Sequence, residues 1–248
     1  MSVITSAIDS GDVVFIGGKH TPYNIHPKDL IMTSLQVING NNSSETLISP
    51  DDAFQRYEIY GQGGDDFIWG HFSDDSLFGG DGNDEILGFD GADYIDGNQG
   101  DDVIYGGDGE DGINGGEGYD FLHGEGGDDI IYGGNGGGWL NGGTGDDHVI
   151  GGDNDDYLDG GSGDDHLIGL EGMDSFFLSE GNDTVIDFDI WSDTIIIDAE
   201  TSGDAFDIAL FNTTIDGQDA MTIWHNTGTT ILIGVSEESF SWDSISFV

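Results

Sequence analysis

The chain has 248 residues, a formal net charge of −48 and only three Lys or Arg residues, Lys19, Lys28 and Arg56. That balance excludes bare nucleic acid or an anionic membrane as a partner, because phosphate contacts need basic side chains to displace counterions; a polyanion bridged by divalent ions is the exception. Cys is absent, which removes disulfides and thiol chemistry, and no window reaches the roughly 18 apolar residues of a membrane span.

Residues 1–60 predict short strands at Val3-Ile4, Val13–Ile16 and Leu35–Ile38, separated by turn-formers such as Ser10-Gly11-Asp12 and Asn39-Gly40-Asn41-Asn42. Ser49 as N-cap and Pro50 at the first helical position predict one helical turn running to Arg56. The start, Met1–Asp9, has neither the basic n-region nor the continuous apolar stretch of a Sec-type signal. So short a segment holds little core of its own. It is either a cap over the open edge of the next element or a docking element.

From Gly61 to Phe177 one nine-residue pattern, Gly-Gly-x-Gly-x-Asp-x-apolar-x, repeats thirteen times without insertion. The first position is always glycine. The eighth is always apolar, from Ile68, Leu77 and Ile86 through to Leu158, Leu167 and Phe176, and the sixth is aspartate everywhere except Gly138. Fixed periods of this kind mark solenoids. Glycines at positions one, two and four predict φ > 0 and a turn closed to side chains. The last three residues alternate outward, inward and outward, as in a strand. Each nonapeptide is therefore a turn and a short strand, and two make one coil of a flattened right-handed spiral. At ~4.8 Å between neighbouring strands, the repeats give a rod on the order of 30 Å long with a narrow aliphatic spine.

Segments such as GGDGNDEIL (Gly79–Leu87) and GGTGDDHVI (Gly142–Ile150) resemble the repeats-in-toxin (RTX) family, whose nonapeptides wind into a calcium-bound parallel β-roll. The resemblance implies an all-β fold: a right-handed parallel β-roll at 61–186, a β-rich N-terminal cap or docking segment at 1–60, and a C-terminal β cap at 187–248. It also implies secretion from a bacterium through type I machinery, using an uncleaved C-terminal signal, for which Asp243-Ser-Ile-Ser-Phe-Val248 has the acidic-then-apolar form.

The acidic turns stack by alternate repeats. Asp66, Asp84, Asp102 and Asp120 line one edge, and Asp75, Asp93, Asp111 and Asp129 the other. Asp147, Asp156, Asp165 and Asp174 continue the edges, and Asp183 does so from a degenerate fourteenth repeat, Glu180–Val185. With carbonyl oxygens of turn glycines (Gly79, Gly97, Gly106, Gly115, Gly124, Gly142, Gly151 and Gly160) they form shells of hard oxygen donors. Calcium, with six to eight oxygens in flexible geometry, suits them better than magnesium; soft metals lack Cys, and the histidines lie outside the turns. About eight to eleven ions are expected. Residues 61–177 hold thirty carboxylates and no Lys or Arg, so the metal-free chain repels itself and binding energy is folding energy. At repeat nine, Gly138 removes a carboxylate and predicts a weak site.

The outward positions are unusually apolar. Phe67, Trp69, Tyr105, Phe121, Trp139 and Tyr157 fall on the sheet of odd repeats, a stripe larger than most monomers expose. Either a terminal segment covers it or it is a contact face for another copy, a glycan or a surface. After the roll, Ile186–Asp198 resembles the segment that closes RTX arrays, and the Asn226-Thr-Gly228 turn predicts a hairpin among the last strands. There is no HExxH and no GxSxG, and the expectation is a non-enzyme. The reading that results is a secreted calcium-folded structural or matrix protein, with self-assembly into filaments as one form its role can take; the alternative is a calcium-dependent adhesin or glycan-binding roll using the aromatic face.

Overall fold

The computed structural model describes residues 13–14, 35–50, 55–197, 209–215, 218–225, 228–236, 240 and 244–247. The expected strands at Val3-Ile4 and Phe15-Ile16 and most of the expected helical turn, residues 51–54, lie outside the described residues. The fold is all-β, with no α-helix among the described residues. Successive strands alternate between two sheets, so every second strand is a hydrogen-bonded neighbour. Strands Phe67–His71, Glu85–Asp90, Val103–Asp108 and Asp120–Gly126 follow one another in the odd-repeat sheet. Strands Ser76–Asp81, Tyr94–Gln99, Gly112–Glu117 and Ile130–Asn135 do so in the even-repeat sheet. All of these pairings are parallel and in register at eighteen residues, for instance Ile104↔Leu122 and Ile113↔Ile131.

The spine is the eighth position. None of its thirteen residues is more than 3% exposed, because each points into the space between sheets while its neighbours point out. The spine runs past the nonapeptides at both ends. Leu47 and Ile59 extend it before Gly61, and Val185 and Ile195 after Phe177. Parallel pairing likewise continues upstream, Leu47 with Ile68 and Ile59 with Leu77, so residues 36–50 and 55–63 lie as strands and turns in line with the repeats. At the far end, Gly228–Ile233 pairs parallel with Gly181–Val185. It then turns antiparallel against Gln218–His225, and that strand against Ala209–Ile215. The expected hairpin is therefore present, and its meander ends the even sheet. Ile245–Phe247 ends the odd sheet against Thr194–Ile197.

The glycines divide by reason. At position two φ is positive throughout, as at Gly107 (φ 121), yet six non-glycine residues hold the same conformation, among them Phe89 (φ 77) and Leu170 (φ 72). Position one is different: its φ is not positive, contrary to the sequence expectation. Glycine is needed there because a side chain would collide with the sixth-position carboxylate. Of the two departures at position four, Asn154 takes a positive φ of 77, while Ser73 avoids it and donates its hydroxyl to the Gln55 carbonyl.

Truncation of the spine sets a testable magnitude. Ile104→Ala is expected to lower the unfolding free energy by about 2–5 kcal/mol in urea denaturation. Gly112→Ser, whose Cβ would approach nothing closer than 3.7 Å, is expected to stay within about 0.5 kcal/mol of the parent.

Candidate metal centre

Each sixth-position aspartate is buried and its two oxygens have different fates. Oδ1 accepts the backbone N–H of the aspartate one coil earlier: Asp66 N–H to Asp84 at 2.7 Å, Asp84 to Asp102 at 2.7 Å, Asp93 to Asp111 at 2.8 Å. Oδ2 has no donor at Asp66, Asp75, Asp84, Asp93, Asp102, Asp111, Asp129, Asp147, Asp156 and Asp165, although it is buried in each. It points across its own turn at the first glycine. A Cβ built on Gly97 would strike Asp102 Oδ2 and lie 2.6 Å from the Gly115 carbonyl oxygen, and one on Gly106 would strike Asp111 Oδ2 and lie 2.8 Å from the Gly124 oxygen. The same pairing of one carboxylate oxygen with one carbonyl oxygen recurs up both edges.

Burial without a donor raises the protonation equilibria. Desolvation is the largest cause at every one of these groups, with neighbouring carboxylates adding to it and the backbone N–H opposing it. Asp66, Asp102 and Asp129 are pushed up to about 7 and Asp93 to about 8. Asp120, Asp147 and Asp174 reach about 6. Burial holds these carboxylates against ionisation, and a cation beside the oxygen without a donor would reverse that shift.

The predicted residues fall into this scheme with a few shifts. Carbonyls of Gly79, Gly97, Gly106, Gly115, Gly124, Gly142 and Gly160 face a carboxylate oxygen across a first glycine, and so do those of Gly88, Gly133 and Gly169. The Gly151 carbonyl faces Gly133, where no carboxylate exists because position 138 is glycine. Asp183 accepts the Asp165 N–H at 3.2 Å and the Ser179 hydroxyl at 3.4 Å. One member was not foreseen. Asp193, nineteen residues after Asp174, takes the Asp174 N–H at 3.1 Å and so continues the odd edge.

A second set of carboxylates also escaped notice. Position five accepts a backbone N–H from the following coil, the opposite sense to position six: Asn83 N–H to Asp65 at 3.0 Å, Tyr119 to Asp101 at 2.9 Å, Asp164 to Asp146 at 2.9 Å. The signal was the recurrent Asp-Asp or Asn-Asp pair, as at Asp65-Asp66 and Asn83-Asp84.

On the outward face, Phe67, Tyr105, Phe121 and Tyr157 are exposed, Phe121 by 50%, while Trp69 and Trp139 are half-buried. Phe121 stacks on Trp139 at 6.4 Å and 5°, and Trp139 on Tyr157 at 5.5 Å and 13°. The rings thus turn faces to one another.

Among the described residues, no three His, Cys, Asp or Glu side chains converge on one point. An edge cation would accordingly draw on backbone carbonyls beside single carboxylates. That donor set is all hard oxygen, fits calcium, and offers nothing to a thiophilic metal.

The family model described as the RTX calcium-binding nonapeptide repeat matches residues 58–86, 87–122, 113–140, 132–167 and 150–185, together just over half of the chain. No curated protein matches the chain. Among solved structures it is similar to the extracellular lipase LipA from Serratia marcescens, at 20% identity and a TM-score of 0.40. That match takes in 78% of this chain and 40% of that one, so this chain spans less than half the length of that protein. The match to the nonapeptide model, on turns whose buried carboxylates face glycine carbonyls, establishes that the chain belongs to the RTX calcium-binding repeat family and that its repeats bind calcium.

Proposed function

We propose that this is a non-enzymatic extracellular protein, exported by type I machinery, whose roll folds on meeting calcium and then serves as a structural element that associates with copies of itself. The observation that carries the reading is the row of buried Oδ2 atoms without donors, which from Asp66 to Asp156 each lie beside a glycine carbonyl. The residues assigned to calcium are the sixth-position aspartates from Asp66 to Asp174 with Asp183, and the glycine carbonyls facing them. When bound, calcium supplies the positive charge that the turns lack. The chain does the rest: position-one glycines leave room, Oδ1 fixes the carboxylate to the preceding turn, and the spine keeps the coils in register. Extracellular calcium modules work at about 10⁻⁴–10⁻³ M, which leaves such a chain unfolded until it is outside the cell.

Self-association is supported by the apolar stripe of Phe67, Tyr105, Phe121 and Tyr157, all exposed. The glycan-binding alternative has less support, because a sugar stacks on an open ring face and the Phe121–Trp139–Tyr157 rings direct theirs at one another. No helix among the described residues is long and apolar enough to cross a membrane.

Four outcomes are expected. In chelator at neutral pH the far-UV circular dichroism is expected to be that of coil, turning to β as calcium reaches about 1 mM; Asp102→Ala weakens its site by at least about tenfold, and a folded spectrum in excess chelator would contradict the coupling. The pH dependence has a definite sign. The folded-state pKa values of about 6 to about 8 lie above the ordinary aspartate value, so protonation contributes stability that is complete below about pH 4 and is lost as pH rises through about 6–8. The metal-free protein therefore gains β signal on acidification, and calcium binding near neutrality releases protons measurable by calorimetry in buffers of different ionisation enthalpy. At repeat nine, a Cβ on Gly138 would lie 3.0 Å from Leu140 Cδ1 and 3.1 Å from the Asp120 backbone oxygen, so a side chain enters once the Leu140 tip and the adjoining turn shift slightly. Gly138→Asp is expected to add one calcium per chain by equilibrium dialysis. Light scattering in calcium checks the association: growing particles are expected from the parent and fewer from Phe121→Ser, whereas a monomer at every calcium level rejects it.

A further inference from the structure

The coil that precedes the first nonapeptide uses the same geometry with different chemistry. Gly40-Asn-Asn-Ser-Ser-Glu-Thr-Leu-Ile48 lies where a repeat would lie. Thr46, Leu47 and Ile48 pair with Phe67, Ile68 and Trp69. Leu47 occupies the spine at 2% exposure. Glu45 N–H donates to Asp66 Oδ1 at 2.8 Å, the bond each repeat makes to the next coil, although the spacing here is twenty-one residues. A Cβ on Gly40 would meet Glu45 Oε2 and the Gly61 carbonyl, at 2.5 and 2.6 Å, the same cradle as in the repeats.

The carboxylate in that cradle, however, is already satisfied. Glu45 Oε2 accepts the Asn41 N–H at 2.9 Å and Oε1 accepts the Asn41 side-chain amide. The Ser43 hydroxyl donates to Asn41 Oδ1 at 2.8 Å, Ser44 Oγ accepts the Asp65 N–H at 3.1 Å, and the Gln62 amide donates to the Gly40 carbonyl at 2.8 Å. Uncharged donors hold this turn to the next. The opposite edge begins with a built-in cation: Arg56 Nε donates to the Asp74 carbonyl at 2.7 Å, beside Asp75, whose Oδ1 takes the Tyr57 N–H at 2.6 Å. Of the chain's three basic residues, Arg56 is the one within the described residues.

We propose that segments 36–49 and 55–60 form a first coil that closes without calcium and serves as the template on which the calcium-dependent coils are laid. In a solenoid each unit contacts only its neighbours, and the costly step is bringing the first two strands together across a non-local loop. An internal turn cannot take that step unaided, since its Oδ2 has no donor. The Glu45–Asn41 clasp and the Arg56 guanidinium supply the donor and the charge that calcium supplies elsewhere. The first nonapeptide then meets a formed strand edge, and ions add coils to it one at a time. This inference rests on the calcium-coupled folding proposed above.

Hydrogen exchange read amide by amide on the full chain tests it. In excess chelator, the Gly63 and Phe67 amides, bonded to the carbonyls of Asn41 and Glu45 at 3.3 and 2.9 Å, are expected to be protected by at least about tenfold. Val103 and Phe121, bonded to the Asp84 and Asp102 carbonyls, exchange at unfolded rates until calcium is added. Glu45→Asp shortens the side chain away from Asn41 and makes the turn a repeat-like one: protection at Gly63 and Phe67 disappears in chelator and returns in calcium. Arg56→Gln should lower the same protection, and Arg56→Lys should restore part of it. Unprotected Gly63 and Phe67 amides in the parent, or a Glu45→Asp chain still protected in chelator, overturns the template. Protection of Val103 in chelator overturns both the template and the calcium coupling beneath it, whereas loss at Gly63 alone leaves the coupling standing.

Discussion

A buried carboxylate oxygen with no hydrogen-bond donor is the constraint around which this protein is arranged. The turns place one such oxygen per coil along the even edge from Asp75 to Asp165, and on the odd edge at Asp66, Asp84, Asp102 and Asp156. Neighbouring coils are ~4.8 Å apart, so adjacent ionised turns repel by about 3 kcal/mol at an effective dielectric constant near 20. One spine residue per strand returns only about 1.5–3 kcal/mol on burial. The apolar column is therefore of the same size as the repulsion it must overcome, before desolvation of the carboxylate or chain entropy is counted. Burial first, and the neighbouring carboxylates after it, push Asp102 up to about 7 and Asp93 to about 8, so protons would relieve part of the repulsion. A divalent ion relieves it more completely, because it satisfies the orphaned oxygen and the facing carbonyl together.

The turns also use their carboxylates to register the coils. Position six accepts an N–H from the coil before and, where it is Asp or Asn, position five accepts one from the coil after, so turns that carry both are tied in both directions by bonds of about 3 Å. Such side-chain bonds are directional where the spine is not, and a one-residue slip of a strand would break both rows as well as turn the spine outward. Position-one glycine follows from the same arrangement. It is excluded space, reserved for the carboxylate and carbonyl oxygens, and not a conformational requirement.

Much of this was legible in the residues. Eighth-position isoleucines and leucines gave the strand phase, and every one of them is buried as that phase demands. Sixth-position aspartates gave the edge rows. What escaped the reading did so where the period fails. Glu45 stands twenty-one residues before Asp66 and Asp193 nineteen after Asp174, so a search at nine or eighteen residues passes over both. The parallel strands within 36–50 and 55–63 were hidden by the same change of spacing and by Glu in place of Asp. Position five was visible as a recurrent second carboxylate, but a pair present in most repeats looks like composition until its N–H partner is seen. Position two was misleading in the other direction: Phe89 and Leu170 hold a positive φ without being glycine, because neighbouring coils fix the turn on both sides.

The two edges are not equivalent, and the difference has a physical consequence. On the even edge the N–H to Oδ1 bonds run unbroken from Tyr57 to Asp183, whereas on the odd edge the row stops at Asp120 and starts again at Gly138, which donates to Asp156 at 2.7 Å. Repeat nine keeps its spine residue, Leu140, fully buried, and Trp139 stacks on both of its odd-sheet neighbours. Packing thus bridges the gap that electrostatics leaves. Since a solenoid transmits order only between adjacent coils, cooperativity across repeat nine passes through the even edge and the spine. With the carboxylate missing at 138, Asp120 and Asp156 each have one fewer charged neighbour one coil away. The missing carboxylate spares the odd edge one repulsion, and with Leu140 buried and Trp139 stacked on both sides a glycine can stand there without breaking the coil.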